Sequence, residues 1–189
     1  HGLVHPGALA VVRVELENMA REAVAWMQAQ SAATAAELYV SRSENRTLSR
    51  REGVRDGVET GETKGAGVRV ARDGRMGFAS SGGADLAAIK ELYARALEQL
   101  PCAEPNPCRL LPGPQPGGED EALAATLWDE ALFSSPWAEV STRLAGAEAA
   151  AKCQPGVAKL LRSEYSESRS AAIVAGTSGL FSSERGSSA

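Results

Sequence analysis

Histidine is nearly absent from this sequence, and its scarcity removes much of the familiar catalytic chemistry. The 189 residues contain two histidines, His1 and His5, at the very start of the chain. A Ser-His-Asp or Cys-His arrangement needs a histidine base, so neither can form in the body of the chain. Two histidines one helical turn apart would suit zinc, but Pro6 follows directly and the segment is terminal, which favours a disordered end. We therefore assign no catalytic residue and no metal ligand, and we expect no cofactor.

Cysteines and long apolar runs are also scarce. The three cysteines, Cys102, Cys108 and Cys153, form no C-x-x-C pair, which favours reduced thiols over disulfides or a zinc site. No segment has the roughly 18 unbroken apolar residues that a membrane span needs. A net charge of −4 and a pI near 5.3 argue against a nucleic-acid surface. We expect a cytoplasmic protein that binds neither membranes nor nucleic acid.

Other local candidates have ordinary structural explanations. Gly65-Ala66-Gly67 is a fragment of a phosphate-binding motif, but it opens a strand and not a helix. A Ser-Lys pair is formally possible, although Lys90 is placed as a surface charge of a helix. The acidic run at residues 119–121 suits a helix start, where it complements the helix dipole. We expect a buried core position for each tryptophan (Trp26, Trp128, Trp137) and a solvated, mixed-charge strand face for the interleaved charges (Arg42, Glu44, Arg46, Arg50, Arg51, Glu52, Arg55, Asp56, Glu59).

Hydrophobic periodicity predicts two amphipathic helices in the first half of the chain. Residues 12–33 and 84–100 carry apolar side chains at spacings of three and four. Asp85 is placed to cap the second helix and Pro101 to end it.

Between these helices, residues 36–81 switch to a period of two and are punctuated by glycines, which predicts a meander of short antiparallel strands. Asp73-Gly74 is the dipeptide that type I′ hairpin turns select. Residues 53–65 are polar and glycine-rich, so we expect a protruding hairpin or a mobile loop there. Helices before and after a meander predict an α+β fold in which they cover one sheet face.

The second half repeats this order of helix and strands. We predict a short helix over residues 119–133 and another that starts at Ser135-Pro136, with serine as N-cap, and ends near Lys152. Strands are expected at residues 158–166, 170–175 and 180–187, with a turn at residues 176–179.

These elements divide the chain into four parts. Residues 1–11 are a terminal segment and residues 12–110 an amino-terminal α+β domain. A Pro-rich linker over residues 111–118 is expected to be extended. Residues 119–189 would begin a second α+β domain that looks truncated.

Several short motifs occur in a recognisable order. Residues 36–43 read AELYVSRS, residues 67–80 contain GVRV, a DGR turn and GFAS, and residues 163–170 read SEYSESRS. Residues 52–60 and 179–183 add a glycine hairpin and a GLFSS strand. In order and spacing these motifs resemble the amino-terminal portion of the TldD/PmbA family, also called modulator of DNA gyrase, and they look more like PmbA (TldE) than TldD.

The resemblance implies a subunit of a zinc metalloprotease complex that degrades unfolded peptides and matures peptide antibiotics such as microcin. It also implies a dimer, with another TldD/PmbA-type subunit in a homo- or heterodimer and an extended peptide enclosed between subunits. The His-Glu metal helix of the active subunit has no counterpart here, so we expect this chain to be inactive alone, and its peptide-binding residues are unknown. The alternative is a stand-alone interaction module that uses an exposed sheet edge.

Overall fold

The computed structural model describes residues 8–108, 110–114, 126–129 and 131–189, except for the side chains of residues 8–12. In chain order, the elements are helix α1 (Ala8–Gln28), strands β1 (Ala35–Arg51), β2 (Val54–Arg72) and β3 (Arg75–Ser81), helix α2 (Leu86–Gln99), a 3-10 turn (Leu100–Cys102), helix α3 (Trp137–Lys152), and strands β4 (Arg162–Gly176) and β5 (Phe181–Ser188). All strands are antiparallel and form one sheet in the order β3-β2-β1-β4-β5. The predicted α+β fold is confirmed.

The first helix is displaced from its predicted limits. It begins at Ala8, inside the segment expected to be a disordered end, and it ends at Gln28 instead of residue 33. The amide of Gln30 donates to the carbonyl of Met27 at 3.0 Å, so the chain leaves the helix through a tightened last turn. Residues 1–7, with both histidines, lie outside the described residues.

Strands β1 and β2 are much longer than the short strands that the glycines predicted. They span 17 and 19 residues and form a protruding hairpin that includes residues 53–65. Both turn residues have positive φ, 51° at Glu52 and 85° at Gly53. The glycines inside β2 stay paired in the β1–β2 ladder, as Gly61 does with Asn45, and the register shift of this ladder lies at Ser49/Arg50. The predicted Asp73-Gly74 turn is confirmed, with φ of 53° and 71°.

The hydrophobic core lies between one sheet face and helices α1 and α2. Leu38, Val40 and Val68 are fully buried there. Helix α2 begins as predicted, since the carboxylate of Asp85 accepts the Ala88 amide at 2.8 Å. Among the described residues, the large buried side chains of this core are Leu16, Met27, Leu38, Val40, Val68, Val70, Ile89, Leu92, Tyr93, Leu100 and Ile173.

Helix α2 lies unusually close to strand β3. A Cβ added at Gly77 would lie 1.9 Å from the carbonyl oxygen of Ala96, so only glycine fits at this crossing.

The strands of the second half extend the same sheet. Strand β4 pairs with β1 along its full length, from Glu37 opposite Gly176 to Arg51 opposite Arg162. It is one continuous strand, so the predicted break at residues 167–169 was wrong. The division at residue 118 stays a prediction, because residues 115–125 lie outside the described residues, as does most of the helix predicted over residues 119–133.

The predicted N-cap of helix α3 was also wrong. Pro136 occupies the cap position with extended backbone, and no side chain caps the helix. The proline ring disfavours helical backbone at the preceding residue, so the helix does not extend back to Ser135.

Candidate functional site

The interleaved charges are only partly the solvated face that the sequence predicted: residues such as Arg51, Arg55 and Glu59 are exposed, but the middle of β1 is covered. Arg46 is 9% exposed and its cross-strand neighbour Glu167 is 2% exposed. Arg50 binds Glu148 of helix α3 at 3.2 Å, and Glu148 is itself buried. The expectation failed because helix α3 and residues 131–134 cover this end of the sheet, and strand alternation alone does not show where a helix will pack.

Glu167 is the centre of this buried charged cluster. Its carboxylate accepts hydrogen bonds from Arg46, from the Tyr165 hydroxyl at 2.6 Å and from the Phe133 amide at 3.0 Å. Burial opposes ionisation of Glu167, but the hydrogen bonds and the charge of Arg46 outweigh it and lower the pKa of this carboxyl. Burial, together with the bond to Glu167, raises the pKa of the Tyr165 hydroxyl.

Phe133 attaches the segment before α3 to the sheet. Its ring lies 5.0 Å from the Arg46 guanidinium and 4.4 Å from that of Arg169. Phe133 has a φ of 69°, a conformation that a non-glycine residue adopts only when its surroundings impose it. Trp137 stacks on Arg46 at 4.8 Å. Both carboxylate oxygens of Glu167 are bonded within the chain, which favours a structural role for this cluster, although Arg46 Nη2 is buried without a hydrogen-bond partner among the described residues.

The opposite face of the sheet is open. The three described helices pack on the face that carries the core and the charged cluster, whereas Tyr39 and Phe78 lie on the other face and are 46% and 51% exposed. Between them lies a shallow depression of about 650 Å³, with Gly65, Gly67 and Val174 in its floor. The Phe78 ring extends over Gly67, where an added Cβ would lie 3.1 Å from its Cε2.

An ion pair borders this depression. Arg69 lies opposite Glu37 in the β1–β2 ladder and donates from Nε to Glu37 Oε1 at 2.9 Å. Glu37 is 5% exposed, and no described residue donates to its Oε2. The sheet therefore offers a mostly apolar, aromatic-flanked surface with a single charge pair.

The sheet also has one long unpaired edge. Strand β3 pairs with β2 only at residues 66–72, so residues 54–64 of β2 have β1 on one side and no described strand on the other. Most of these residues are exposed. The far edge, β5, is partly covered, because the Ser187 amide donates to Leu127 O at 2.8 Å and the Asp129 amide donates to Ser187 Oγ at 2.8 Å.

The residues that the sequence singled out are dispersed. The three cysteines are exposed and unpaired. Trp26 packs edge-on against Tyr93 with ring centroids 5.4 Å apart, and Lys90 Nζ lies 5.3 Å from the Trp26 ring. Trp128 packs against the core as expected, whereas Trp137 stacks on Arg46. Residues 119–121 lie outside the described residues.

The sequence analysis did not single out Tyr39 and Phe78. Both are aromatic residues at strand positions that alternate with core residues.

Two further observations concern the described part of the chain only. Within it, no three His, Cys, Asp or Glu side chains gather in a group that could hold a metal ion. None of its helices combines the length and apolar character needed to cross a membrane.

The described residues form an α+β fold with helices on one sheet face and a depression on the open face. Residues 36–100 match the family described as PmbA/TldA metallopeptidase domain 1. The resemblance to the TldD/PmbA family stated from the sequence is therefore confirmed over residues 36–100, which match the first domain of that family. No curated protein matches the chain.

Solved structures share the fold over nearly the whole chain. TldE from Thermococcus kodakarensis has a TM-score of 0.72 at 17% identity over 89% of this chain and 37% of its own. A protein described as a modulator of DNA gyrase from Bacteroides thetaiotaomicron has a TM-score of 0.70 at 16% identity, over 92% of this chain and 38% of its own. A second protein so described, from Thermotoga maritima, has a TM-score of 0.68 at 17% identity, over 90% of this chain and 37% of its own. The chain thus spans less than two-fifths of the length of these structures.

Proposed function

We propose that this chain acts as the non-catalytic amino-terminal portion of a TldD/PmbA-type metallopeptidase subunit. In this role its open sheet face helps to enclose an extended peptide, and its sheet associates with another subunit of the same family, in a homo- or heterodimer. The reaction served is proteolysis or the maturation of a peptide such as a microcin precursor, and in a heterodimer the other subunit supplies the metal site.

The observation that carries this proposal is the aromatic-flanked depression on the open face. Tyr39 and Phe78 present large apolar surfaces on either side of Gly65 and Gly67, where the missing side chains let another backbone approach closely. Both features would add affinity for an extended peptide of any sequence, because aromatic contact and close backbone approach do not depend on particular side chains of the peptide. A protease that degrades unfolded peptides needs this tolerance.

Peptide binding can be measured directly by fluorescence anisotropy with a labelled unfolded peptide. We expect Tyr39→Ala to weaken binding about tenfold, in line with the loss of one well-placed aromatic anchor. Val54→Ala is the matched control, since Val54 is 70% exposed, apolar and on the same sheet but outside the depression. Equal affinities for Tyr39→Ala and wild type would contradict the assignment of the open face, and metal-dependent cleavage by the chain alone would contradict the non-catalytic role.

The second candidate, a stand-alone interaction module, is favoured by a different observation: the long unpaired edge of β2. The two candidates separate in a co-purification experiment with a catalytic family subunit that carries a His-Glu metal helix. A stable complex that cleaves peptide supports the subunit role, whereas capture of an unrelated protein by the edge, without any hydrolysis, supports the module.

A further inference from the structure

The ion pair that borders the depression leaves one carboxylate oxygen without a donor. Both bonds from Arg69, from Nε at 2.9 Å and from Nη2, go to Oε1 of Glu37. A side-on arginine frequently engages both oxygens of a carboxylate, one with each donor. Here Oε2 receives no bond from any described residue, although the Glu37 side chain is only 6% exposed. A buried anionic acceptor left in this state is costly, so a donor that reaches it is bound favourably.

The arginine of this pair has the opposite property, an uncommitted donor. Nη1 of Arg69 donates to no described residue, and the side chain is 44% exposed. Glu37 and Arg69 both line the depression. The pair therefore offers one acceptor and one donor to a molecule that enters the depression, and its two charges offset each other.

The main chain of a peptide carries the complementary groups. Each residue of an extended strand directs its N–H and C=O to the same side, which is how it exchanges two hydrogen bonds with one residue of a neighbouring strand. Glu37 Oε2 can accept such an N–H while Arg69 Nη1 donates to the C=O of the same residue. A turn of the Glu37 carboxylate about its terminal torsion, which has broad minima, can bring Oε2 towards the depression.

The surroundings of the pair favour a neutral peptide unit over a charged group. Phe78 lies opposite Arg69 in the β2–β3 ladder, and Tyr39 is two residues from Glu37 on the same face of β1. A hydrogen bond shielded from water by such apolar rings is stronger than an exposed one. A free ammonium would meet the like charge of Arg69, and a free carboxylate would meet that of Glu37.

We propose that Glu37 and Arg69 recognise the main chain of a bound peptide, with Glu37 Oε2 accepting an N–H and Arg69 Nη1 donating to a C=O. This inference rests on the proposed function of the open face and names the group that the face recognises, a peptide unit, whatever the sequence or the termini of the peptide. Unlike aromatic contact with Tyr39 and Phe78, this contact requires an N–H, which N-methylated residues lack.

The test compares two ten-residue probes of alanine, serine and leucine, both acetylated, amidated and fluorescently labelled. The second probe is N-methylated at every residue and so has no main-chain N–H to donate. Fluorescence anisotropy with the wild-type chain should show at least about tenfold weaker binding of the methylated probe, because hydrogen bonds to charged groups contribute at this level. This comparison needs no variant of the protein.

Glu37→Gln connects that loss to Glu37. Arg69 holds the amide oxygen of the glutamine, so the amide nitrogen takes the place of Oε2 and presents a donor where the peptide needs an acceptor. This variant should bind the unmodified probe about tenfold more weakly than wild type, and most of the difference between the two probes should disappear.

Glu62→Gln is the matched control for this variant. Glu62 also pairs with an arginine of the same sheet, Arg42 at 3.0 Å, but it is not among the residues that line the depression. The control should bind both probes as wild type does, and thermal melts should show both variants folded.

The outcomes separate this inference from the proposed function. If Tyr39→Ala weakens binding while Glu37→Gln does not, the open face binds peptide but Glu37 does not recognise its main chain, and the inference is overturned. An equal loss on N-methylation in wild type and in Glu37→Gln overturns it as well, because the missing N–H then contacts another group. So does binding of a probe with free termini but not of the capped probe, since the pair would then recognise a charged terminus. If the wild-type chain binds no probe at all, the proposed function fails and the inference fails with it.

Discussion

Replacing Glu167 with glutamine tests whether the buried charged cluster holds the sheet and helix α3 together. Glu167 is 2% exposed and accepts bonds from Arg46, Tyr165 and Phe133. The variant keeps the shape of the side chain but leaves the Arg46 guanidinium buried without a counter-charge. Breaking a buried pair in this way costs about 3–5 kcal/mol, so the free energy of unfolding should fall by that amount.

Urea denaturation at pH 7 measures this loss. With a slope of about 2 kcal/mol/M, the midpoint should fall by roughly 2 M. Glu164→Gln is the matched control, because Glu164 lies on the same strand and its side chain is 44% exposed in a surface pair with Arg162. Loss of that pair should cost less than about 1 kcal/mol. Equal losses for the two variants would refute the argument from burial.

The ion pair between Arg46 and Glu167 also predicts the direction in which the free energy of unfolding changes with pH. The pKa of Glu167 is lower in the folded chain than its ordinary value, so its contribution is present above the unfolded pKa of about 4.3 and is lost as pH falls through the folded pKa. The stability difference between wild type and Glu167→Gln should therefore shrink as pH falls below about 4. A difference that stays constant from pH 7 to pH 3 would show that Glu167 is not the group responsible.

Three smaller changes test local features by thermal melting. Gly77→Ala should lower stability by about 1–3 kcal/mol or more, because the new Cβ would lie 1.9 Å from the Ala96 oxygen, whereas Gly146→Ala, in open space on helix α3, should be neutral or stabilising. Asp85→Ala removes the N-cap of α2 and should cost about 1 kcal/mol, and no change would show that the cap bond is dispensable. Gly74→Val places a β-branched residue at a φ of 71° and should cost roughly 1 kcal/mol or more; if melting is unchanged while peptide binding is lost, the turn is functional.

Much of the local structure could be read from short stretches of sequence. The Asp73-Gly74 turn, the Asp85 cap and the helix over residues 86–99 are each decided by neighbours in the chain, so they were predicted correctly. Residues 53–65 were harder, because glycine and charge indicate a loop when the stretch is considered alone. Pairing with the full length of β1 supplied the ladder that turned this segment into strand.

The candidate site, like the fold, was only partly predictable from the sequence. The order of the motifs was sufficient to recognise the family, since those motifs are patterns of sequence. The roles of individual side chains could not be predicted in this way. Alternation along β1 shows that Arg46 and Leu38 share a face, but it does not show what covers that face. The charged end of that face is buried only because helix α3 and Phe133, more than 80 positions further along the chain, pack on it.

The sequence by itself determined the α+β class, the turns at Asp73-Gly74 and residues 176–179, and the family resemblance, because these depend on local periodicity, on glycine at positive φ and on motif order. Tertiary structure alone decided that β4 joins β1 in one sheet, that Arg46 and Glu167 are buried, and that β2 and not β5 presents the long unpaired edge. The physical reason is that strand pairing and burial join residues distant in the chain. Their energies depend on which surfaces meet, and no local pattern encodes that.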